Sequence, residues 1–387
     1  MNRLMKYASL LLAAVMLVSC AGTTDDNSGG GEGINGTFRI EPDKTLLQSD
    51  GVDFVTLNVT LNGKPVTEGV TFYIDADMLP VENFRFSTTK AGDYEIWANY
   101  GTYNSEPVTI RAISVPIPEV PADPAPANTD FKSRVMCMQF TGTGCSYCSE
   151  FMKRLRPAFE DEAFADEYVK AAIHNYQYTE SFPDAAFIQW SWATQTLGAT
   201  NPSIIMDYEL KYALYLATTS SEEFMGIVRE HNNAKKDAAC GIAVNAVLEG
   251  DQVVARVTVK AAESGSYRVG AMLLEDGIYG KQIAGEDWMN THDKCVRYID
   301  ASYRVGNRDV YYGHSLGNIE KGKTADYLFI WNLEDIWNSA PEKVYWKKFV
   351  KENMHMAVFV TSAKGESYVI NNAVSVEFNT PLAFEYK

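Results

Sequence analysis

Apolar and polar residues alternate in short runs over residues 35–113. Examples are Thr37-Phe38-Arg39-Ile40, Phe54-Val55-Thr56-Leu57-Asn58-Val59, Val70-Thr71-Phe72-Tyr73-Ile74, Tyr94-Glu95-Ile96-Trp97-Ala98 and Val108-Thr109-Ile110. A period of two puts successive side chains on opposite faces, so each run predicts a half-buried β-strand. Turn chemistry separates the runs at Asn62-Gly63 and Ala91-Gly92-Asp93. Short strands punctuated in this way predict an all-β sandwich over 35–114.

From 131 to 239 the pattern becomes β-α-β. Residues 134–140 predict a strand, and Phe151, Leu155 and Phe159 share one face of a helix that starts near Cys145. A second strand is predicted at 168–175, an aromatic-rich helix at 184–197 and a third strand from 202 to 207. Ser221 then opens a helix as its cap, with acidic residues in the first turn. Strands return over 240–387, at 243–248, 253–259, 268–274, 356–360 and 374–378. They surround a less regular aromatic and charged stretch at about 277–352. This last region reads as a second β-sandwich with a long insertion, and the chain as a multidomain α+β protein.

Residues 115–128 read VPIPEVPADPAPAN and hold five of the 14 prolines. They predict an extended, semi-rigid linker over 115–130 and the main domain boundary. No repeat of fixed period is present in the sequence.

The N-terminus changes the picture of where the chain works. Arg3 and Lys6 precede an apolar run from Ala8 to Val18 broken only by Ser9. That run is shorter than the roughly 20 residues a bilayer span needs. It predicts a secretory signal over 1–19. Its end, Leu17-Val18-Ser19-Cys20, resembles the lipobox of bacterial lipoproteins, which implies cleavage before Cys20 and acyl chains on its thiol and new N-terminus. Residues 20–34 are Gly-, Ser- and Asp-rich and predict a flexible tether. Ala21 after the cysteine resembles the sorting signal for the outer membrane, and Asp25 and Asp26 resemble signals for surface display. The expectation is an outer-membrane lipoprotein, facing the cell surface or the periplasm and held to the membrane through lipid on Cys20.

The chain has 387 residues, with 34 Lys and Arg against 50 Asp and Glu, a net charge of −16. Loss of Arg3 and Lys6 with the signal leaves 368 residues at −18. This acidity argues against nucleic acid as a partner, since phosphate contacts are made by Lys and Arg. A protein or other extracellular ligand stays open as a partner. No cofactor is called for.

The six cysteines are too few for a disulfide scaffold and are placed one by one. Gly144-Cys145-Ser146-Tyr147-Cys148 falls at a strand end and opens a helix. The positive end of a helix dipole and its open N–H groups stabilise a thiolate on Cys145, and Cys148, one turn on, is placed to resolve a mixed disulfide. Asn201-Pro202 precedes an apolar strand and resembles the cis-proline that faces the CxxC of thioredoxin-like folds. In a redox-active site Asn201 and Pro202 would contact substrate. Three departures from catalytic thioredoxins count against that. Gly144 stands where Trp is usual, Gln139 replaces the buried acid, and Pro157 lies nine residues beyond Cys148. Two functions stay open: thiol–disulfide exchange at Cys145 and Cys148, and a structural disulfide that staples the helix start.

The stretch AGDYEIWANYGTYNSEPVTI resembles bacterial immunoglobulin-like modules, which implies a spacer or binding module over 35–114. MCMQFTGTGCSYCSEF, LLEDGIYG, NTHDKCVRY and MAVFVTSAKGESYVINNAVSVEF resemble the Omp-twenty-eight-related family of outer-membrane lipoproteins. That resemblance covers about 131–387. It implies a thioredoxin-like domain over 131–239, a C-terminal β-domain over 240–387, and a surface or cell-envelope binding or adhesion role. Where relatives tend to carry histidine, this chain has Cys295.

Other constellations carry weaker chemistry. Gly313-His314-Ser315-Leu316-Gly317 matches a hydrolase nucleophile elbow, with Asp335 and His355 following in triad order. The motif needs a strand, a tight turn and a helix, and no helical period follows it. His292, Asp293, Cys295 and His314 match no zinc spacing, so no metal is expected. Cys137 reads as a core thiol, while Cys240 and Cys295 are candidates for pairing in an oxidising compartment. Phe182, Phe187, Trp190 and Trp192 read as core.

Overall fold

A computed structural model describes residues 37–175, 187–235, 238–339, 348–365 and 367–387, with backbone alone at 187–190. Cys20, its signal and the tether lie outside these residues, as does Phe182; the side chains of Phe187 and Trp190 are likewise not described. The chain divides into two compact units, 1–116 and 117–387. It is a β-rich protein with several sheets.

In the first unit one sheet joins Phe38–Pro42, Val55–Leu61 and Lys64–Pro65, with Arg85–Phe86 added to Val55–Leu61. The other runs Leu46–Gln48, Val108–Ile113, Gly92–Tyr100, Thr71–Ile74 and Asp77–Leu79. The alternation read from the sequence is the alternation of burial. Val55, Leu57 and Val59 are inside, with the residues between them outside or half-buried. They share one apolar core with Phe72, Ile96 and Ile110 of the other sheet. Asn62 and Gly63 both have positive φ, 53° and 74°, which is the two-residue hairpin turn their residue types favour.

The second unit is built on a nine-stranded sheet. In order it runs Leu210–Ala213, Ser203–Met206, Val135–Thr141, Tyr168–His174, Cys295–Asp300, Gly265–Glu275, Met354–Lys364 and Ser367–Glu377, with His314–Ile319 also paired to Gly265–Glu275. The boundary expected between 239 and 240 therefore falls inside one sheet. The join is a parallel pairing at Ala172 and Cys295. A three-stranded sheet, Gly241–Glu249, Gln252–Lys260 and Thr324–Asn332, covers one face of the C-terminal strands.

Val135–Thr141 is buried along its whole length, and its side chains divide by parity. Val135 and Cys137 pack under the helices Ser146–Phe159 and Ser221–Lys235. Met136, Met138 and Phe140 face the opposite core with Trp192.

The proline-rich segment is not a free spacer. Residues 117–130 belong to the second unit. Lys260, 1% exposed, donates to Asp123 Oδ2 at 2.7 Å and to the Pro126 carbonyl at 2.8 Å, and Tyr386 Oη donates to Asp123 Oδ1 at 2.7 Å. A buried ammonium needs such partners, and it fixes the segment against the C-terminal strands.

One helix end differs in detail from the sequence reading. Ser220, not Ser221, caps Ser221–Lys235, its Oγ accepting from the Glu223 N–H at 3.2 Å. The Ser221 hydroxyl instead accepts from the Ala158 N–H at 3.2 Å and donates to the Arg154 carbonyl at 2.8 Å. It sits inside the hydrogen-bond ladder beside Pro157, where a proline within a helix perturbs that ladder.

Candidate functional site

Val135–Thr141 runs into a four-residue loop, and Cys145 caps the helix Ser146–Phe159 in extended conformation, φ −95° and ψ 105°. Cys145 and Cys148 are joined by a disulfide with Cα atoms 5.2 Å apart. The Cys148 N–H points at Cys145 Sγ and at the Cys145 carbonyl, each at 3.2 Å. The two sulfurs are not equivalent. Cys145 is partly exposed, whereas Cys148 is wholly buried. Cys145 therefore offers surface to solvent and Cys148 offers none.

Beside it lies a cavity of about 340 Å³ lined by Tyr147, Asn201, Pro202, Leu214 and Leu216. Tyr147 and Leu216 are 65% and 63% exposed, so the rim is apolar and open to solvent. The Asn201–Pro202 peptide bond is cis. The cavity thus places Asn201 and Pro202 across from Tyr147, the residue between Ser146 and Cys148 in the CxxC segment. Gln139 is buried on the helix-facing side of the sheet, at the place where the sequence reading noted the missing acid.

Sequence reading missed a strap from the C-terminal strands. Gln282, 2% exposed, donates from Nε2 to the Gly142 carbonyl at 3.2 Å and the Cys145 carbonyl at 3.0 Å. The Ile283 N–H donates to the Thr143 carbonyl at 2.9 Å, and Ser149 Oγ donates to the Ile283 carbonyl at 2.6 Å. Lys153 pairs with Glu286 at 2.8 Å, and Arg156 lies 4.5 Å from the Trp288 ring centroid. At the root of the strap, His292 Nε2 donates to the Gly280 carbonyl at 2.8 Å, and its Nδ1 is 3.3 Å from His174 Nε2. A carbonyl only accepts, so His292 carries its proton on Nε2 and accepts on Nδ1 from His174. Burial, then the neighbouring His292, holds His174 well below the ordinary histidine pKa. The only local signal for this strap was the polar, irregular character of its stretch.

The remaining candidates come apart. Cys137, Cys240 and Cys295 are buried free thiols, so the Cys240–Cys295 pairing considered from the sequence is not formed. Burial raises all three thiol pKa values, that of Cys240 to about 12. Ser315 is not on an elbow but within the strand His314–Ile319. It sits opposite Arg268, and His355 opposite Leu274 of the same strand. Six residues at about 3.3 Å each separate them by roughly 20 Å, too far for a triad. His314 Nε2 instead pairs with Asp300 Oδ1 at 2.6 Å. Asp335 lies in the helix Leu333–Ser339. Asp293 accepts from the Gly277 N–H at 2.8 Å, and among the described residues no three His, Cys, Asp or Glu side chains are grouped to hold a metal. Trp192, 9% exposed, packs edge-on to Tyr208 as core.

No family model matches the chain, and no curated protein matches it. Among solved structures, HBP35 of Porphyromonas gingivalis is similar to it with a TM-score of 0.49 and 17% identity, over 66% of this chain and 78% of that one.

Proposed function

We propose that this chain is an envelope lipoprotein, anchored through Cys20, whose Cys145–Cys148 pair carries out thiol–disulfide exchange on extracytoplasmic polypeptides. In this reading residues 131–239 are a thioredoxin-like region and the first unit is an immunoglobulin-like module. The observation that carries it is the asymmetry of the pair: Cys145 is partly exposed at a helix N-terminus, while Cys148 is buried one turn on. The Cys145 thiolate of the reduced form attacks one sulfur of a substrate disulfide and expels the other as a thiolate. Cys148, as thiolate, then attacks Cys145 Sγ, which releases the substrate dithiol and restores the disulfide present in the structure. An external dithiol returns the pair to the reduced form.

A second reading is a binding or adhesion protein whose disulfide only staples the helix start. The bonded strap over the loop and Gln139 in the acid position favour it. Insulin reduction with dithiothreitol as the electron source separates the two. Exchange is expected with the wild type and absent in Cys145→Ser; equal rates in the two would leave the staple. Cys148→Ser should trap mixed disulfides at Cys145 and so identify substrates.

A further inference from the structure

We propose that Gln282 is the positioning residue of this disulfide site, and that it stabilises the Cys145 thiolate by neutralising charge on the Gly142 and Cys145 carbonyls beside it. The inference rests on the exchange reading above, in which that thiolate is the nucleophile.

Two carbonyl oxygens, those of Gly142 and Cys145, belong to the same short loop as Cys145 Sγ. Each carries partial negative charge, which opposes a thiolate beside it and offsets what the helix N-terminus contributes. Gln282 Nε2 donates to both. Because both partners are carbonyls, the atom facing them is the amide nitrogen and the orientation of the side chain is settled by chemistry. Each carbonyl already accepts one backbone N–H, Gly142 from Cys145 at 3.1 Å and Cys145 from Cys148 at 3.2 Å, and Gln282 adds a second donor that draws further carbonyl charge to itself.

An independent observation separates the two ends of this amide. Its Oε1 is buried and accepts no hydrogen bond. A half-satisfied buried amide is costly, and that cost offsets part of what its two donor bonds contribute. The donor side of the amide is the part that is used, and it is used only on the cysteine loop. Gln282 is also 137 residues from Cys145 in sequence, so the site is completed by a loop outside 131–239.

The test uses the full chain reduced with dithiothreitol, pulsed with iodoacetamide across pH 5–10, with peptide mapping to follow Cys145 alone. Gln282→Met keeps the length and removes the donors. It should raise the Cys145 pKa by about one unit, which slows alkylation near neutral pH about tenfold. Gln282→Glu, which turns acceptors toward the carbonyls, should raise it further and carries the test if the Met variant does not fold. Ser149→Ala breaks the Ser149–Ile283 bond of the same strap without touching either carbonyl, and should leave the pKa where it is. Circular dichroism confirms that each variant is folded. An unchanged Cys145 pKa in the folded Gln282 variants, or an equal shift in Ser149→Ala, overturns the proposal. Failure of the exchange reading looks different: the wild type itself would not reduce insulin, whatever the Gln282 variants do to the thiolate.

Discussion

Cys137 and Cys145 lie on one strand–loop–helix segment, eight positions apart, and their surroundings are opposite. Cys137 sits mid-strand beneath two helices, fully buried, and burial raises its thiol pKa far above the ordinary value. Cys145 sits where the strand has ended and the helix has begun, partly exposed, with N–H groups around it. A thiolate needs solvent or dipoles to be stabilised; the interior around Cys137 offers neither, whereas the helix start at Cys145 offers both. What separates them is the end of the strand, which the sequence pattern already marks.

The largest expected effect contrasts the two thiols directly. In the reduced native protein, Cys145 should react with iodoacetamide at least about 100-fold faster than Cys137, Cys240 or Cys295, and the difference should vanish in denaturant. Peptide mapping of a time course reads all four, and comparable native rates would break the comparison. Next comes a crossed pair of substitutions. Cys137→Ser places a hydroxyl in a dry, apolar site and should cost about 1–3 kcal/mol in urea unfolding while leaving exchange intact. Cys145→Ser should do the reverse, abolishing exchange. A stability loss in Cys145→Ser as large as that in Cys137→Ser would favour the staple.

The smallest effect tests whether the neighbouring strand end is as dry as Cys137. His174 and His355 are both buried with pKa values lowered, burial being the first cause in each. The unfolded chain takes up protons below about pH 6.5 that the folded rings refuse. Stability is therefore full above that pH and falls as the pH drops, by at most about 1.4 kcal/mol per pH unit for each ring. His174→Gln should flatten the slope between pH 6.5 and 5. An unchanged slope would mean that His174 is protonated in the fold.

Much of this was legible locally. The strands of the first unit follow the alternation of Val55, Leu57 and Val59, because burial of one face has a period of two. The CxxC at a helix start and the proline beside it were also legible, since both rest on short-range geometry. The linker was half-read: its proline content marks the boundary at 116, yet Lys260 ties the rest of it down. The single misplaced cap arose because Ser220 and Ser221 offer the same hydroxyl, and only the neighbouring helix with Pro157 assigns their roles.

By itself the sequence determined the strands of the first unit, the main strands and helices of 131–239, which of their faces are apolar, and which cysteines stand at a helix N-terminus, but it left Cys295–Asp300, His314–Ile319 and Thr324–Asn332 unread within 277–352. The features it determined follow from periodicity, capping and turn chemistry, all of which act within a few residues. Only the tertiary structure decided that 131–239 and 240–387 share one sheet through Ala172 and Cys295, that Cys240 and Cys295 stay apart, and that Gln282 closes over the Cys145 loop. A hydrophobic pattern states that a face will be buried but not against what. The partner is chosen by the packing of the whole chain.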